Sequence, residues 1–354
     1  MSYSLNRKIA DLTPYEPLSG SYQVRLDANE SFYNLPESLL EQINEAVKKV
    51  SFNRYPDPYA EELCQAFADF YRISPELLTA GNGSDELINI IVTAFSLKGE
   101  PCYSFSEDFS MYRFYGELAE CKRVLLSKRD DLTIDVDEVI RQINHSSKGM
   151  LLFSNPCNPT SLGLKREEVR HLLRSVNCLV VLDEAYMDFW DQSLLNEAEN
   201  YDNLILLKTC SKAFGLAGIR LGFAIANPTI TNALRAVKSP YNVNSVTQAI
   251  GAVVLREQKL LKDRTETLIQ RRKELEGEIC VLAKQYPVLE KVYPSVTNFV
   301  FIKTSKAKVL AEKLRKRSIA VRYFDGYLRI TAGSQEENNR LIQELSAVLK
   351  EVSQ

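Results

Sequence analysis

The chain is predicted to fold as an α/β protein: a large domain with a mostly parallel sheet between helices, joined to a smaller α+β domain. The middle of the sequence alternates short, β-rich apolar runs with helical patterns. "MLLF" (150–153), "KREEVRHLLRSV", "CLVVLDEAY", "NLILLKT" and "LGFAIANP" follow one another. Continuous apolar runs of strand length belong to strands buried on both faces, and their alternation with helices indicates parallel pairing. Downstream, the long charged helical pattern "LKDRTETLIQRRKELEGEICVLAKQY" gives way to three β-like runs, "SVTNFVFIKT", "IAVRYF" and "YLRITAG". Strands gathered behind a long helix indicate a second unit with its own sheet.

Ahead of the central alternation, residues 36–50 and 59–72 read as amphipathic helices. They are separated by "SFNRYPDP", whose two prolines break the helical pattern. No internal repeat or low-complexity linker interrupts the chain, so the two lobes are expected to pack together rather than hang on a tether. The expected organisation is an N-terminal arm and part of the small domain over 1–44, a large ligand-binding domain over 45–240, and a connecting helix with the C-terminal small domain over 241–354.

With 354 residues, 45% of them hydrophobic, the chain can fill a sizeable core. The 44 basic and 46 acidic residues leave a formal net charge of -2. That balance argues against a nucleic-acid or membrane-surface binder and for small-molecule partners. The first twenty residues have no apolar core of signal-peptide length, and no stretch has the apolar length of a membrane span, so a cytoplasmic protein is expected. Seven widely spaced cysteines, mostly within apolar runs, are expected to be reduced and structural. No metal is expected, because C-x-x-C is absent and the two histidines, His145 and His171, lie far apart in sequence.

Ligands of open α/β sheets bind at the carboxyl ends of the strands, so the residues that follow each apolar run carry the most information. "LLFSNPCNPT" ends at Asn155 and Asn158, "LVVLDEAY" at Asp183 and Tyr186, and "LILLKTCSK" at Thr209, Ser211 and Lys212. Taken singly, each has an ordinary explanation as a turn, a helix cap or a solvated charge. Together, an acid, a phenol and a lysine at neighbouring strand ends are what pyridoxal 5'-phosphate requires: an amine to condense with its aldehyde, an acid for its ring nitrogen and a phenol for its ring oxygen. A phosphate site is available too. "AGNGSDELINIIVTAF" sets Gly81, Gly83 and Ser84 before an apolar-periodic helix, whose free N–H groups suit an anion. Arg220 and the hydroxyls of Thr209 and Ser211 add donors from the lysine segment. The glycine fingerprints of dinucleotide and nucleotide-triphosphate sites are both absent.

The motifs "LTPYEP", "LDANES", "NRYPDP", "GNGSDE", "NPCNPT", "LDEAY", "SKAFGLAGIRLG", "TNFVF" and "VRYFDGYLRITAG" run almost end to end. Through them the chain resembles the fold-type-I pyridoxal-phosphate aminotransferases and, among these, the histidinol-phosphate aminotransferases. The resemblance implies that Lys212 carries the cofactor, Asp183 pairs with its ring nitrogen, and Tyr186 and Asn158 hydrogen-bond its ring oxygen. Gly83, Ser84, Ser211 and Arg220 would hold the phosphate, with Asp85 and Thr209 beside them. Phe109 falls where family members stack an aromatic ring on the cofactor. Tyr55 falls where the partner subunit reaches the phosphate, which implies a homodimer with shared sites.

On the substrate side, "VRYF" and "YLRIT" contribute Arg322 and Arg329, suited to capturing carboxylate or phosphate. The resemblance assigns Arg329 to the carboxylate of the 2-oxo acid or amino acid and the pair to a substrate phosphate, with Tyr15, Asn29 and Asn298 over the same site. Three positions depart from the family pattern. Ser161 stands where a glycine is usual, Glu107 where a proline is usual, and Phe109 where tyrosine is more frequent. The expected reaction is transamination between histidinol phosphate and 2-oxoglutarate. Alternatives are an aromatic amino-acid aminotransferase, a phosphothreonine-type decarboxylase and, from another class, a cofactor-binding regulator without catalysis.

Overall fold

The computed structural model describes residues 3–10, 12–13, 18–146 and 148–353. Its centre is a seven-stranded sheet. In chain order the strands are β2 (Leu78–Gly81), β3 (Pro101–Phe105), β4 (Lys122–Leu126), β5 (Met150–Ser154), β6 (Leu179–Asp183), β7 (Leu204–Thr209) and β8 (Gly222–Ala226), in the spatial order β2-β8-β7-β6-β5-β3-β4. All neighbouring pairs are parallel except those of β8, which runs against both β2 and β7. The expected mostly parallel sheet is therefore observed, with one reversed strand.

Successive residues explain why these runs are uniformly apolar. Val180, Leu182, Leu204, Leu206, Phe223 and Ile225 enter one hydrophobic cluster, while Val181, Ile205, Leu207, Ala224 and Ala226 enter the cluster on the opposite face. With side chains alternating along a strand and both faces covered, no position can be left polar at little cost.

A second, five-stranded sheet has the order β1-β11-β12-β10-β9. It is built from β1 (Val24–Leu26), β9 (Lys291–Tyr293), β10 (Phe299–Lys303), β11 (Ile319–Phe324) and β12 (Tyr327–Thr331). The three C-terminal β-like runs are β10, β11 and β12. The edge strand β1 joins β11 in parallel, pairing Val24 with Ile319 and Leu26 with Val321. Its core also takes Leu275, Ile279 and Leu282 from the second half of the 28-residue helix Gln258–Gln285, whereas Leu261 and Leu268 from the first half belong to the large cluster. One helix thus spans both cores.

The helix Glu37–Lys48 packs through Leu39 and Ile43 into the large cluster, as do Ala252, Val254 and Leu255 of the helix Ser245–Arg256. The boundary expected at residue 44 falls inside the first of these helices, and the one expected at residue 240 falls just before the second.

Below the strand ends lies a buried ionic cluster. Lys208 of β7 is 2% exposed, its ammonium 2.9 Å from Asp188 Oδ1 and 4.0 Å from Glu184 Oε2. The Tyr71 hydroxyl donates to the same Asp188 oxygen at 2.6 Å. Glu184 accepts from the Ser193 hydroxyl at 2.5 Å and from the Leu194 N–H at 3.0 Å. Burial pushes the Glu184 carboxyl up, with Lys208 acting against it. The cluster pins residues 184–194, the segment that follows β6. Removing its cation leaves two buried acids uncompensated, so Lys208→Met should lower the free energy of unfolding in urea by about 3–5 kcal/mol. Adding Asp188→Asn should recover part of the loss.

Candidate active site

Strands β5, β6 and β7 end side by side, and their ends bring the expected residues together. Asp183, the last residue of β6, is 4% exposed. Its Oδ2 accepts from the Tyr112 hydroxyl at 2.9 Å and its Oδ1 from the Ala185 N–H at 3.0 Å. Burial raises its carboxyl to about 6, the two hydrogen bonds working against that shift and the acids Asp108 and Glu184 adding to it. A carboxylate held up in this way gains from a cationic N–H donor.

Past the end of β7, Lys212 is distinguished from its neighbour Lys208 by its surroundings. Lys208 is held by acids, whereas Lys212 Nζ donates to the backbone carbonyl of Ala28 at 2.9 Å. Burial, with Arg329 and Arg220 nearby, lowers its amine to about 8, against a smaller opposing effect of Glu30 and Asp183. An amine so tuned has an appreciable neutral, nucleophilic fraction near neutral pH.

A third feature is a backbone cradle. The helix Gly83–Phe95 begins against the start of β8 so closely that a Cβ at Gly222 would lie 2.5 Å from the Ser84 nitrogen and 2.6 Å from the Gly83 carbonyl carbon. Gly83 has φ +78, and a Cβ there would meet the Arg220 guanidinium at 3.0 Å. Arg220 thus lies over the N-terminus of this helix, where unpaired N–H groups and a guanidinium converge on one point. Ser211 is buried nearby and donates its N–H to Thr209 Oγ1 at 3.2 Å. Asp85, in the first turn of the helix, accepts from the Tyr115 hydroxyl at 3.0 Å through one oxygen while its other oxygen is buried without a hydrogen bond.

Between these features runs a polar chain that links the two sheets. Asn29 is fully buried at φ 55, donates its side-chain amide to the Tyr186 hydroxyl at 2.8 Å and its backbone N–H to Thr331 Oγ1 at 3.0 Å. The Asn298 amide donates to the Asn29 carbonyl at 3.1 Å. The Arg329 guanidinium donates to Asn158 Oδ1 and, at 2.7 Å, to the Asp27 carbonyl, and lies 5.4 Å from the Phe299 ring centre and 5.6 Å from that of Phe324. Arg322 of β11 is directly opposite Arg329 of β12, so the two guanidiniums leave the same face of the sheet. Phe109 meets Tyr112 edge to face at 5.5 Å, at the wall that carries Asp183.

One expected residue stands apart, and another is not placed. Tyr55 is 81% exposed and stacks on Tyr241 at 4.5 Å. Tyr15 lies outside the described residues. Sequence inspection overlooked Tyr112, Thr331, Tyr115 and the backbone carbonyls of Asp27 and Ala28. The aromatic run "FSMYRFY" was the available signal for the first, three residues beyond Phe109. The carbonyls have none, since every residue carries one.

The donor set suits a ligand with a phosphate at one end, a basic ring nitrogen at the other and a reactive carbonyl between them. The helix N-terminus with Arg220 is suited to the first, Asp183 to the second and Lys212 to the third.

Comparison with known proteins agrees with this chemistry. The family described as aminotransferase class I and II matches residues 21–345. A histidinol-phosphate aminotransferase of Clostridium kluyveri is 40% identical over 349 residues, covering 97% of this chain and 98% of that one. The crystal structure of histidinol-phosphate aminotransferase from Sinorhizobium meliloti, in complex with pyridoxal-5'-phosphate, superposes with a TM-score of 0.87 at 23% identity and covers 99% of both chains. L-threonine-O-3-phosphate decarboxylase from Porphyromonas gingivalis shares the fold with a TM-score of 0.79 at 21% identity, covering 92% of this chain and 99% of that one.

The Asp183 carboxyl makes the ligand-free fold sensitive to pH. Its proton is held more tightly in the folded chain, at about 6 against 3.8. The folded state therefore loses stability as pH rises from about 4 to 6, by up to about 3 kcal/mol. Asp183→Asn should flatten that decline. Urea unfolding of both ligand-free proteins between about pH 4 and 7 measures the difference.

Proposed function

The chain belongs to the class I and II aminotransferases, and on that premise we propose that it moves an amino group between histidinol phosphate and 2-oxoglutarate. The products are imidazole acetol phosphate and glutamate; in histidine biosynthesis the reaction runs the other way. The observation that carries the choice of substrate is the pairing of Arg322 with Arg329 across β11 and β12. Two guanidiniums on one face of a sheet suit an anionic group, and a phosphate or a dicarboxylate better than a neutral aromatic side chain.

Pyridoxal 5'-phosphate, when bound, supplies a carbonyl for the amino group and a conjugated ring that accepts the electron pair left when the substrate α-carbon gives up its proton. Lys212 would hold the cofactor through Nζ and, as a free amine, would move the proton to and from the substrate α-carbon. Asp183, itself steadied by Tyr112 and the Ala185 N–H, would keep the ring nitrogen protonated. Tyr186 and Asn158 would hydrogen-bond the ring oxygen, and Phe109 would stack on the ring. Gly83, Ser84, Ser211 and Arg220 hold the phosphate, with Asp85 and Thr209 adjacent. Arg329 orients the carboxylate of the 2-oxo acid, and with Arg322 accepts the phosphate of histidinol phosphate. Asn29 and Asn298 wall the site.

The working unit is a homodimer. Phe52, Tyr55, Tyr59 and Tyr241 leave large aromatic surface exposed, which a second copy would cover, bringing Tyr55 to the phosphate of the neighbouring site. No helix among the described residues is long and apolar enough to cross a membrane, which is compatible with a cytoplasmic biosynthetic enzyme.

Lys212→Ala should abolish both turnover and the visible absorbance of the cofactor-loaded protein; a variant that keeps full turnover refutes its role. The substrate is decided by single-turnover bleaching of that absorbance with histidinol phosphate, phenylalanine and phosphothreonine side by side. Histidinol phosphate should react at the lowest concentration. Equal speed with phenylalanine at far lower concentration would make this an aromatic aminotransferase, and release of carbon dioxide from phosphothreonine would make it a decarboxylase.

A further inference from the structure

Ser161 is fully buried with φ 64, in the left-handed region where side chains other than glycine and asparagine are strained. It belongs to a short loop closed on itself. The Cys157 N–H donates to the Leu162 carbonyl at 2.7 Å and the Ser161 N–H to the Cys157 carbonyl at 2.9 Å. These two bonds close the loop, which carries Asn158, the acceptor from Arg329.

From this loop Ser161 reaches the other sheet. Its hydroxyl lies 3.1 Å from the Pro294 carbonyl, and its carbonyl accepts the Val296 N–H at 3.2 Å. The Thr160 carbonyl, 2.5 Å away, competes for the single hydroxyl hydrogen. The segment reached, between β9 and β10, is itself well held. Ser295 Oγ donates to the Phe299 carbonyl at 2.6 Å, and buried Arg272 donates to the Thr297 carbonyl at 3.2 Å. Two residues past Val296 stands Asn298, whose amide donates to the Asn29 carbonyl.

We propose that Ser161 is a positioning residue: a strut between the β5 loop and the β9–β10 segment that sets how closely the small sheet, with Arg329 and Asn298, approaches the cofactor pocket. The proposal rests on the transaminase reading for its kinetic consequence, while its structural consequence stands alone. The strained backbone is tolerated because the hydroxyl and carbonyl together make a two-point link that glycine cannot make.

Two variants separate the link from the strain. Ser161→Gly removes the hydroxyl and relaxes φ, whereas Ser161→Ala removes the hydroxyl and keeps the strain. Both should speed amide exchange over residues 295–298 and raise KM for the 2-oxo acid by roughly three- to tenfold, the range for one neutral hydrogen bond. In both, kcat should stay within about twofold of the parent, and the glycine variant should melt higher than the alanine variant. Parent-like exchange in both variants overturns the strut whatever the substrate, and so does faster exchange with unchanged KM. A parent-like KM in Ser161→Gly alone would assign the effect to strain and also overturn it. If the parent protein fails to convert histidinol phosphate, the proposed substrate falls, while the exchange measurement still decides the strut.

Discussion

Asn29 is a buried residue at which the two lobes meet. Asn29 gives its side-chain amide to Tyr186 of the large domain, its N–H to Thr331 of the small sheet, and receives the amide of Asn298 on its carbonyl. The Thr331 hydroxyl returns a hydrogen bond to the Asn29 side-chain oxygen at 3.1 Å. All of these groups are buried, and Asn29 holds a left-handed φ of 55 that asparagine tolerates better than most residues. A buried polar network is costly when half satisfied and rigid when complete. Here every member but Asn298, whose Oδ1 is buried without a hydrogen bond, is paired, and the pairing requires both sheets at one separation, with Lys212, which donates to the adjacent Ala28 carbonyl, and Arg329 beside it.

The same burial sets the electrostatics of the pocket. Removal from water pushes the Asp183 carboxyl up to about 6 and the Lys212 amine down to about 8, both toward their neutral forms. Nearby positive groups are gathered elsewhere: Arg220 over the helix N-terminus, Arg322 and Arg329 on the small sheet. The pocket thus has an acid that gains from a cation, an amine kept reactive, and two separate positive ends. A phosphate, a basic ring nitrogen, a reactive carbonyl and a second anion meet these groups together, which is why the proposed cofactor and a phosphorylated or dicarboxylic substrate suit the same site.

Much of this was readable before any coordinates. The strands β5 to β8 announce themselves as uninterrupted apolar runs because both of their faces are covered, and the polar residues that end them are conspicuous by contrast. β1 was not readable as the edge of the small sheet. It has three residues, too few for a period, and its partner lies almost three hundred residues away. The helix Glu37–Lys48 shows a clear apolar stripe, yet a stripe does not say which core it faces, and it faces the large one. Within the site, side chains of rare type, a lysine or an acid after a strand, stood out. Tyr112 did not, since a tyrosine in an amphipathic helix looks like packing until its hydroxyl is seen on Asp183. Lys208 and Lys212 are four residues apart in one segment, and only their surroundings, two acids for one and a carbonyl for the other, separate a structural ion pair from a reactive amine.

A division of labour follows from where these groups sit. The residues proposed to act on the cofactor, Lys212, Asp183, Tyr186, Gly83 and Arg220, all belong to the large seven-stranded domain, while the guanidiniums proposed to select the substrate belong to β11 and β12 of the small sheet. A fold shared with a decarboxylase therefore says little about which bond is broken, because the large domain can be common to both chemistries. On the proposed roles, the choice depends on how the small sheet holds a substrate's anionic groups relative to the ring. Its position relative to the large domain is in turn governed by the contacts that cross between them: the knot at Asn29, Arg329 on Asn158, and Ser161 on the β9–β10 segment. Reaction specificity in such a scaffold is then a property of the inter-domain contacts as much as of the residues that touch the substrate.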